Sequence, residues 1–197
     1  MTGARAVLPA ALALVLTGCV APASTSFGQA PACEIGDDGK AANAVVLMAQ
    51  SVPTASRVPC VKGLPLGWHF AGMDARNGAA AFWLDSDRDG LHAIEVQLTG
   101  TCDTGDATEI PSDRDGMRRY ELVSQVTPRY EGSRYYLFEG GCLTLVFALS
   151  GDNRGEPLAL AAQAIDVLRR DELADQVREA SDGRLELDPP ADAGAPR

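Results

Sequence analysis

Residues able to do chemistry gather at a few places in this sequence, and the most specific is Asp85-Ser86-Asp87-Arg88-Asp89-Gly90. It reads as the opening of a calcium loop, in which alternate carboxylates converge on one hard cation and glycine lets the chain turn. The position that should carry a bidentate Glu holds Val96, Glu95 lies one residue early, and an alternating pattern follows where a helix should. These departures favour a hairpin rich in turn formers. Ser86-Asp87-Arg88-Asp89-Gly90 also recurs unchanged as Ser112-Asp113-Arg114-Asp115-Gly116, with Pro111 where the first carboxylate would stand. Both copies lead into similar residues: Leu91, Ile94, Glu95 and Val96 answer to Met117, Tyr120, Glu121 and Leu122. A turn explains both copies and calcium only one, so Asp85, Asp87 and Asp89 are read as a turn without a required metal, while remaining the sequence's calcium candidates.

Arg118, Arg119, Arg129 and Arg134 form a locally basic region in a chain of net charge -10. Their guanidinium forks suit a phosphate or carboxylate, although cross-strand pairing with Glu121, Glu131 and Glu139 is the plainer expectation. Trp68, His69, Phe70, Trp83, Tyr135 and Tyr136 could line an aromatic pocket for an apolar or glycan ligand, but aromatics at strand spacing are expected in the core. His69 and His92 are the only histidines, and neither lies beside a nucleophile at a recognisable spacing. His92 is in phase with Ile94 and Val96 and is expected half-buried near a strand end. No nucleophile elbow, zinc-protease helix, phosphate loop or dinucleotide fingerprint occurs, so no catalytic residue and no cofactor is assigned. Paired carboxylates leave no local pattern, which keeps Asp74, Asp85, Glu95 and Glu121 open as the acids of a hydrolase.

The elements that must position these groups are mostly strands. Residues 68–73 and 79–84 flank Asn77-Gly78, a hairpin signal. Residues 91–99 alternate, and residues 120–126 set Tyr120, Leu122 and Val126 against Glu121 and Gln125. Residues 134–138 are aromatic-rich, and residues 143–149, apolar on both faces, predict a central strand. Residues 53–65 are broken by Pro53, Pro59, Gly63 and Pro65 into a turn-rich connection. A short helix is predicted over residues 41–50, with Ala44, Leu47 and Met48 on one face and its start at Gly36-Asp37-Asp38-Gly39. Pro157 opens a helix over residues 158–170 that carries Leu158, Ala161, Ile165 and Leu168 on one face. Asp171 is expected to cap a continuation through Leu173 and Val177 to Asp182-Gly183, with residues 184–187 as a short edge strand. The fold class is α+β, a mainly antiparallel sheet with an N-terminal helix and C-terminal helices; a β-sandwich with peripheral helices is the alternative.

The N-terminus adds an address. Residues 6–16 are an apolar run too short to span a membrane, with Arg5 before it, and read as a secretory signal. Leu16-Thr17-Gly18-Cys19 resembles the lipobox of bacterial lipoproteins. The resemblance implies that the Cys19 thiol receives a diacylglyceryl group and that cleavage before Cys19 makes it the new N-terminus. Residues 1–18 are then the signal peptide, 19–32 a flexible tether, 33–188 one α+β domain and 189–197 a disordered tail. Cys33, Cys60, Cys102 and Cys142 are an even set in an exported chain, which favours two disulfides over a zinc site. Sequential pairing, Cys33 with Cys60 and Cys102 with Cys142, is preferred because each loop then encloses one supersecondary unit, at roughly 3.5 to 4 kcal/mol per closure.

Gln50-Ser51-Val52-Pro53-Thr54, Val58-Pro59-Cys60, Gly67-Trp68, Phe82-Trp83-Leu84-Asp85-Ser86-Asp87 and Tyr135-Tyr136-Leu137-Phe138 together are similar to a set of exported actinobacterial proteins, a resemblance that brings no activity with it. The acidic body repels nucleic acid and anionic lipid headgroups. The expected protein is held by its lipid at the outer face of the cytoplasmic membrane and binds or supports an envelope protein or glycan; the alternative is a cell-envelope hydrolase using paired carboxylates.

Overall fold

The computed structural model describes residues 28–35, 43–150 and 155–190. Cys19 and the lipobox, the predicted helix start at Gly36 to Gly39 and the last seven residues lie outside these. Among the described residues, three helices and nine strands follow one another as α1 (Ala44–Ser51), β1 (Arg57–Val61), β2 (Trp68–Arg76), β3 (Ala79–Ser86), β4 (Gly90–Thr99), β5 (Thr108–Ile110), β6 (Arg118–Gln125), β7 (Tyr130–Phe138), β8 (Gly141–Leu149), α2 (Gly155–Ala164), β9 (Ile165–Arg169) and α3 (Arg170–Ala180). A seven-stranded sheet has the order β2-β3-β4-β8-β7-β6-β5, and β1 pairs with β9 in a separate two-stranded sheet. All pairings between these strands are antiparallel. The α+β expectation therefore holds for the sheet and for the two helices after it; the helix before it begins at Ala44 on an Asn43 cap, whose Oδ1 accepts from Val45 N and Val46 N.

Register runs straight across the large sheet. One row joins Phe82, Val96, Leu145, Arg134, Glu121 and Thr108, and the next joins Ala80, Leu98, Leu143, Tyr136, Arg119 and Ile110. Phe82, Val96, Leu98, Leu143 and Leu145 are fully buried in the core with Met48, Ile165 and Leu173 of the covering elements. The same inner face thus begins apolar on β3, β4 and β8 and becomes charged on β7 and β6. Strand β8, buried along most of its length, is central as predicted.

Several sequence expectations are corrected. Residues 165–169 form β9, not helix: β-branched Ile165 and Val167 sit opposite Val61 and Pro59 of β1, and long-range pairing overrides helical phase. Strand β1 itself lies inside the stretch read as turn-rich. Asp171 does not cap α3; the cap position is Arg169, whose side chain makes no capping bond and donates to Asp171 instead, and Asp171 stands in the first turn, where its carboxylate suits the helix dipole. Residues 184–187 make no strand; Leu187 packs into the core instead. Backbone groups near both ends of the described domain are tied into the fold. The Pro31 carbonyl accepts from Val61 N at 2.7 Å, and the Asp188 carbonyl accepts from buried Arg170, which also donates to Ala49 O at the end of α1.

Cys33–Cys60 and Cys102–Cys142 are both disulfides, the sequential pairing. They are consistent with an exported protein in an oxidising, extracytoplasmic location. Among the described residues no helix is long and apolar enough to cross a membrane.

Candidate functional site: an arginine-lined cleft

Where the inner face of the sheet turns charged, the covering layer leaves a cleft of about 590 Å³, walled by the β5–β6 loop, α2 and β9. Arg57, Arg114, Arg119 and Arg134 all line it, with Asp113, Asp115, Asp166 and Gln163. Register explains the floor: Glu121 stands opposite Arg134, and Arg119 opposite Tyr136. This reverses the alternation read from the sequence. Arg119 and Glu121 share the inner face of β6, while Tyr120 looks outward, where its hydroxyl donates to Glu109 and Arg118 lies over its ring.

The four guanidinium groups are committed to different degrees. Arg114 donates through Nη2 to Ala162 O (3.1 Å) and Ile165 O (2.6 Å), closing the C-terminal end of α2. Its guanidinium also lies 4.9 Å from the Tyr136 ring centroid and 3.6 Å from Asp166. Arg119 reaches Asp113 at 3.5 Å and Glu121 at 3.3 Å. Arg134 donates Nε to the same Glu121 oxygen at 2.8 Å, so one carboxylate serves two cations. Arg57 forms no ion pair or side-chain hydrogen bond with any described residue. Its Nη2 lies against Gly116, where a Cβ would meet it at 2.8 Å.

Burial pulls the Arg134 pKa down, but the hydrogen bond to Glu121, with the Tyr136 hydroxyl and the Glu121 charge, outweighs it and the net shift is upward. Burial likewise would raise the Asp166 carboxyl; the hydrogen bond from Lys62, the Val167 N–H and the charges of Lys62 and Arg114 prevail, and it sits below its ordinary value. Two buried donors, Arg114 Nε and Arg119 Nε, have no acceptor. The buried Tyr136 hydroxyl in the same floor is likewise without a partner among the described residues.

The cross-strand pairing expected of the basic region holds for Arg134 with Glu121; Arg118 reaches instead to Glu109 on β5, and Arg129 pairs with Glu131 two residues along its own segment. Arg57 and Arg114 were not singled out from the sequence. The signal available for Arg114 was its place in the repeated pentapeptide; Arg57 carried none.

The other sequence candidates are dispersed. Asp85 Oδ1 accepts from His92 N at 2.7 Å, Asp87 Oδ1 lies 3.0 Å from His69 Nε2, and Asp89 turns inward to Ser86 and Ser150. Three carboxylates that a calcium ion would gather thus have three separate partners. His92 is exposed, not half-buried: its φ of +51° shifts the phase at the start of β4, so that Ala93 and Ile94 are both buried, and its ring stacks on Trp83 at 5.6 Å. The aromatics split between faces, with Trp68 and Tyr136 buried and Trp83 outward. Of the hydrolase carboxylates, Asp74 and Glu95 share a shallow groove of about 130 Å³. There Asp74 lies 3.9 Å from Arg76 and Glu95 accepts from Gln97, while Asp85 and Glu121 lie elsewhere. Compared with family models, curated proteins and solved structures, the chain finds no match in any of the three.

Proposed function

We propose that this chain is a lipid-anchored extracytoplasmic domain, held at the outer face of the cytoplasmic membrane, that binds or supports another component of the cell envelope. The lipobox-like Leu16-Thr17-Gly18-Cys19 supports the anchor, and the two disulfides support the compartment. Binding rests on one observation, the cleft on whose wall the Arg57 side chain has no ion-pair or hydrogen-bond partner among the described residues. Arg119, Glu121 and Arg134, the charged groups on the facing floor, are paired within the fold.

The anchor is tested by detergent partitioning and mass spectrometry of the N-terminus after expression in a bacterium. Diacylglyceryl on Cys19, lost with membrane association in Cys19→Ala, is the expected result. Binding is tested in the same cells with a photo-crosslinking residue in place of Gln163, on the cleft wall, against one in place of Asp74. A discrete envelope adduct from the first position alone supports the reading. Turnover of envelope glycans or esters that disappears in Glu95→Gln, with the fold intact, would replace it with a hydrolase.

A further inference from the structure

Resting on the binding role just proposed, we infer that the cleft is a site for an oxyanion, a carboxylate or phosphate group on a small polar ligand, held between Arg57 and Arg134. Four observations converge on it. The local inventory has one cation in excess, Arg57, Arg114, Arg119, Arg134 and Lys62 against Asp113, Asp115, Glu121 and Asp166: Glu121 is shared by Arg119 and Arg134, Asp113 is taken by Arg119, and Asp166 is taken by Lys62 at 2.6 Å and faced by Arg114. Arg57 is left as a whole cation with no carboxylate within ion-pair distance among the described residues, on the wall of a cleft and not on an open surface.

Its location is also built. Arg57 projects from β1, which β9 pins in register along all five of its residues, and its guanidinium occupies space that only glycine at position 116 leaves open. Gly116 has φ +69°, so the turn itself also demands glycine there. Arg134 is fixed from the other side by its bond to Glu121 and by its strand, and it is largely buried. A pre-oriented guanidinium loses little freedom on binding, which is how such a fork gains affinity for a planar or tetrahedral oxyanion.

The acidic groups in the lining refine the ligand class. Asp113, Asp115 and Asp166 share the cleft with the arginines, so a bare polyanion would meet repulsion that a singly charged group bearing hydroxyl or amino donors would not. Gln163 on α2 supplies a neutral donor and acceptor to the same space. An acidic sugar, or a sugar carried on a phosphodiester, matches this inventory, because each bears one negative charge; a phosphate monoester, close to a dianion at neutral pH, fits it less well.

The test is calorimetric titration of the full chain in detergent, at fixed ionic strength, with inorganic phosphate in one arm and glucuronate in the other. Saturable binding of either probe is expected, weakened by at least about tenfold in Arg57→Gln, as loss of a charge-assisted hydrogen bond implies. Arg57→Lys should recover only part of it, because the charge returns without the fork, and Arg88→Gln should leave it unchanged. Melting curves establish that each variant is folded. Absence of binding to both probes at about 10 mM, far above the Kd of a formed two-arginine site, would overturn the inference, as would equal binding by Arg57→Gln. The binding role fails separately. If the Gln163-position adduct forms alike in wild type and Arg57→Gln while neither probe binds, the envelope role survives and the oxyanion site falls. If Arg57-dependent probe binding persists without any adduct, the site stands and the envelope role falls.

Discussion

Two loops in this molecule have the same five residues, Ser-Asp-Arg-Asp-Gly, and put opposite members of the set to use. Both adopt the same local turn: Arg88 N donates to Ser86 Oγ and Arg114 N to Ser112 Oγ, and both final glycines have positive φ. Beyond that they part. In the β3–β4 loop the second aspartate, Asp89, is buried, accepting from Ser86 Oγ at 2.9 Å and from Ser150 N at 2.8 Å. In the β5–β6 loop the corresponding Asp115 is exposed and the arginine turns in to close α2. Local sequence sets the turn; the element packed over it decides which charge is buried.

The sharpest way to break that comparison is at the arginines. Arg114→Ala removes two carbonyl acceptors' only charged donor and the packing on Tyr136, and should cost about 3 kcal/mol. Arg88→Ala, on the exposed side of the first loop, should stay within about 0.5 kcal/mol. Urea denaturation of the two variants measures both. Next come the aspartates, with the order of the loops inverted: Asp89→Ala should cost about 2 kcal/mol because Ser150 N loses its acceptor, and Asp115→Ala should cost almost nothing. Equal losses in the two variants would show that the carboxylates share one role.

The glycines give a smaller and more discriminating effect. Gly90→Ala and Gly116→Ala should each cost about 1 kcal/mol for the positive φ, visible as similar falls in Tm. Only Gly116→Ala should also displace Arg57 and weaken phosphate or glucuronate binding. The smallest effect is on pH. Asp166, a partner of Arg114, has a depressed pKa, so its contribution to stability is complete above the unfolded value near about 3.9 and is lost as pH falls through the lower folded value. It is partly exposed and screened, so the difference between wild type and Asp166→Asn should stay below about 1 kcal/mol at neutral pH and vanish in acid.

The same contrast explains what was legible in the sequence. Strands β3, β4 and β8 were readable because one face meets an apolar core, and alternation then reports that face directly. Strand β6 was misread for the same reason: its inner face meets a charged cleft, so the apolar Tyr120 and Leu122 marked the outer side. Strand β9 kept helical phase through Ile165 and Leu168, and its true state depends on β1, more than a hundred residues earlier, which no local window contains. The pentapeptide was correctly legible as a turn. Its tertiary use was not, because Ser150 and Ala162 supply it from elsewhere in the chain. Arg134 and Arg119 could be found as a basic run, whereas Arg57 gains its meaning only when β1 lies beside Gly116.

The register between β6 and β7 is continuous from Arg118 opposite Leu137 to Val123 opposite Gly132 and shifts only between Val123 and Gln125, so the part of the cleft floor that β6 supplies can change only as a unit. Side chains alternate with a period of two, so a slip of β6 by one residue would carry the floor groups that β6 supplies to the far side of the sheet at once. Arg119 and Glu121 would leave together, Tyr120 and Leu122 would arrive together, and Arg134 on β7 would lose its carboxylate without any change in composition. A lineage of such proteins could therefore exchange one kind of ligand for another by a single insertion or deletion at the turn between residues 125 and 130, with the core formed by β3, β4 and β8 undisturbed.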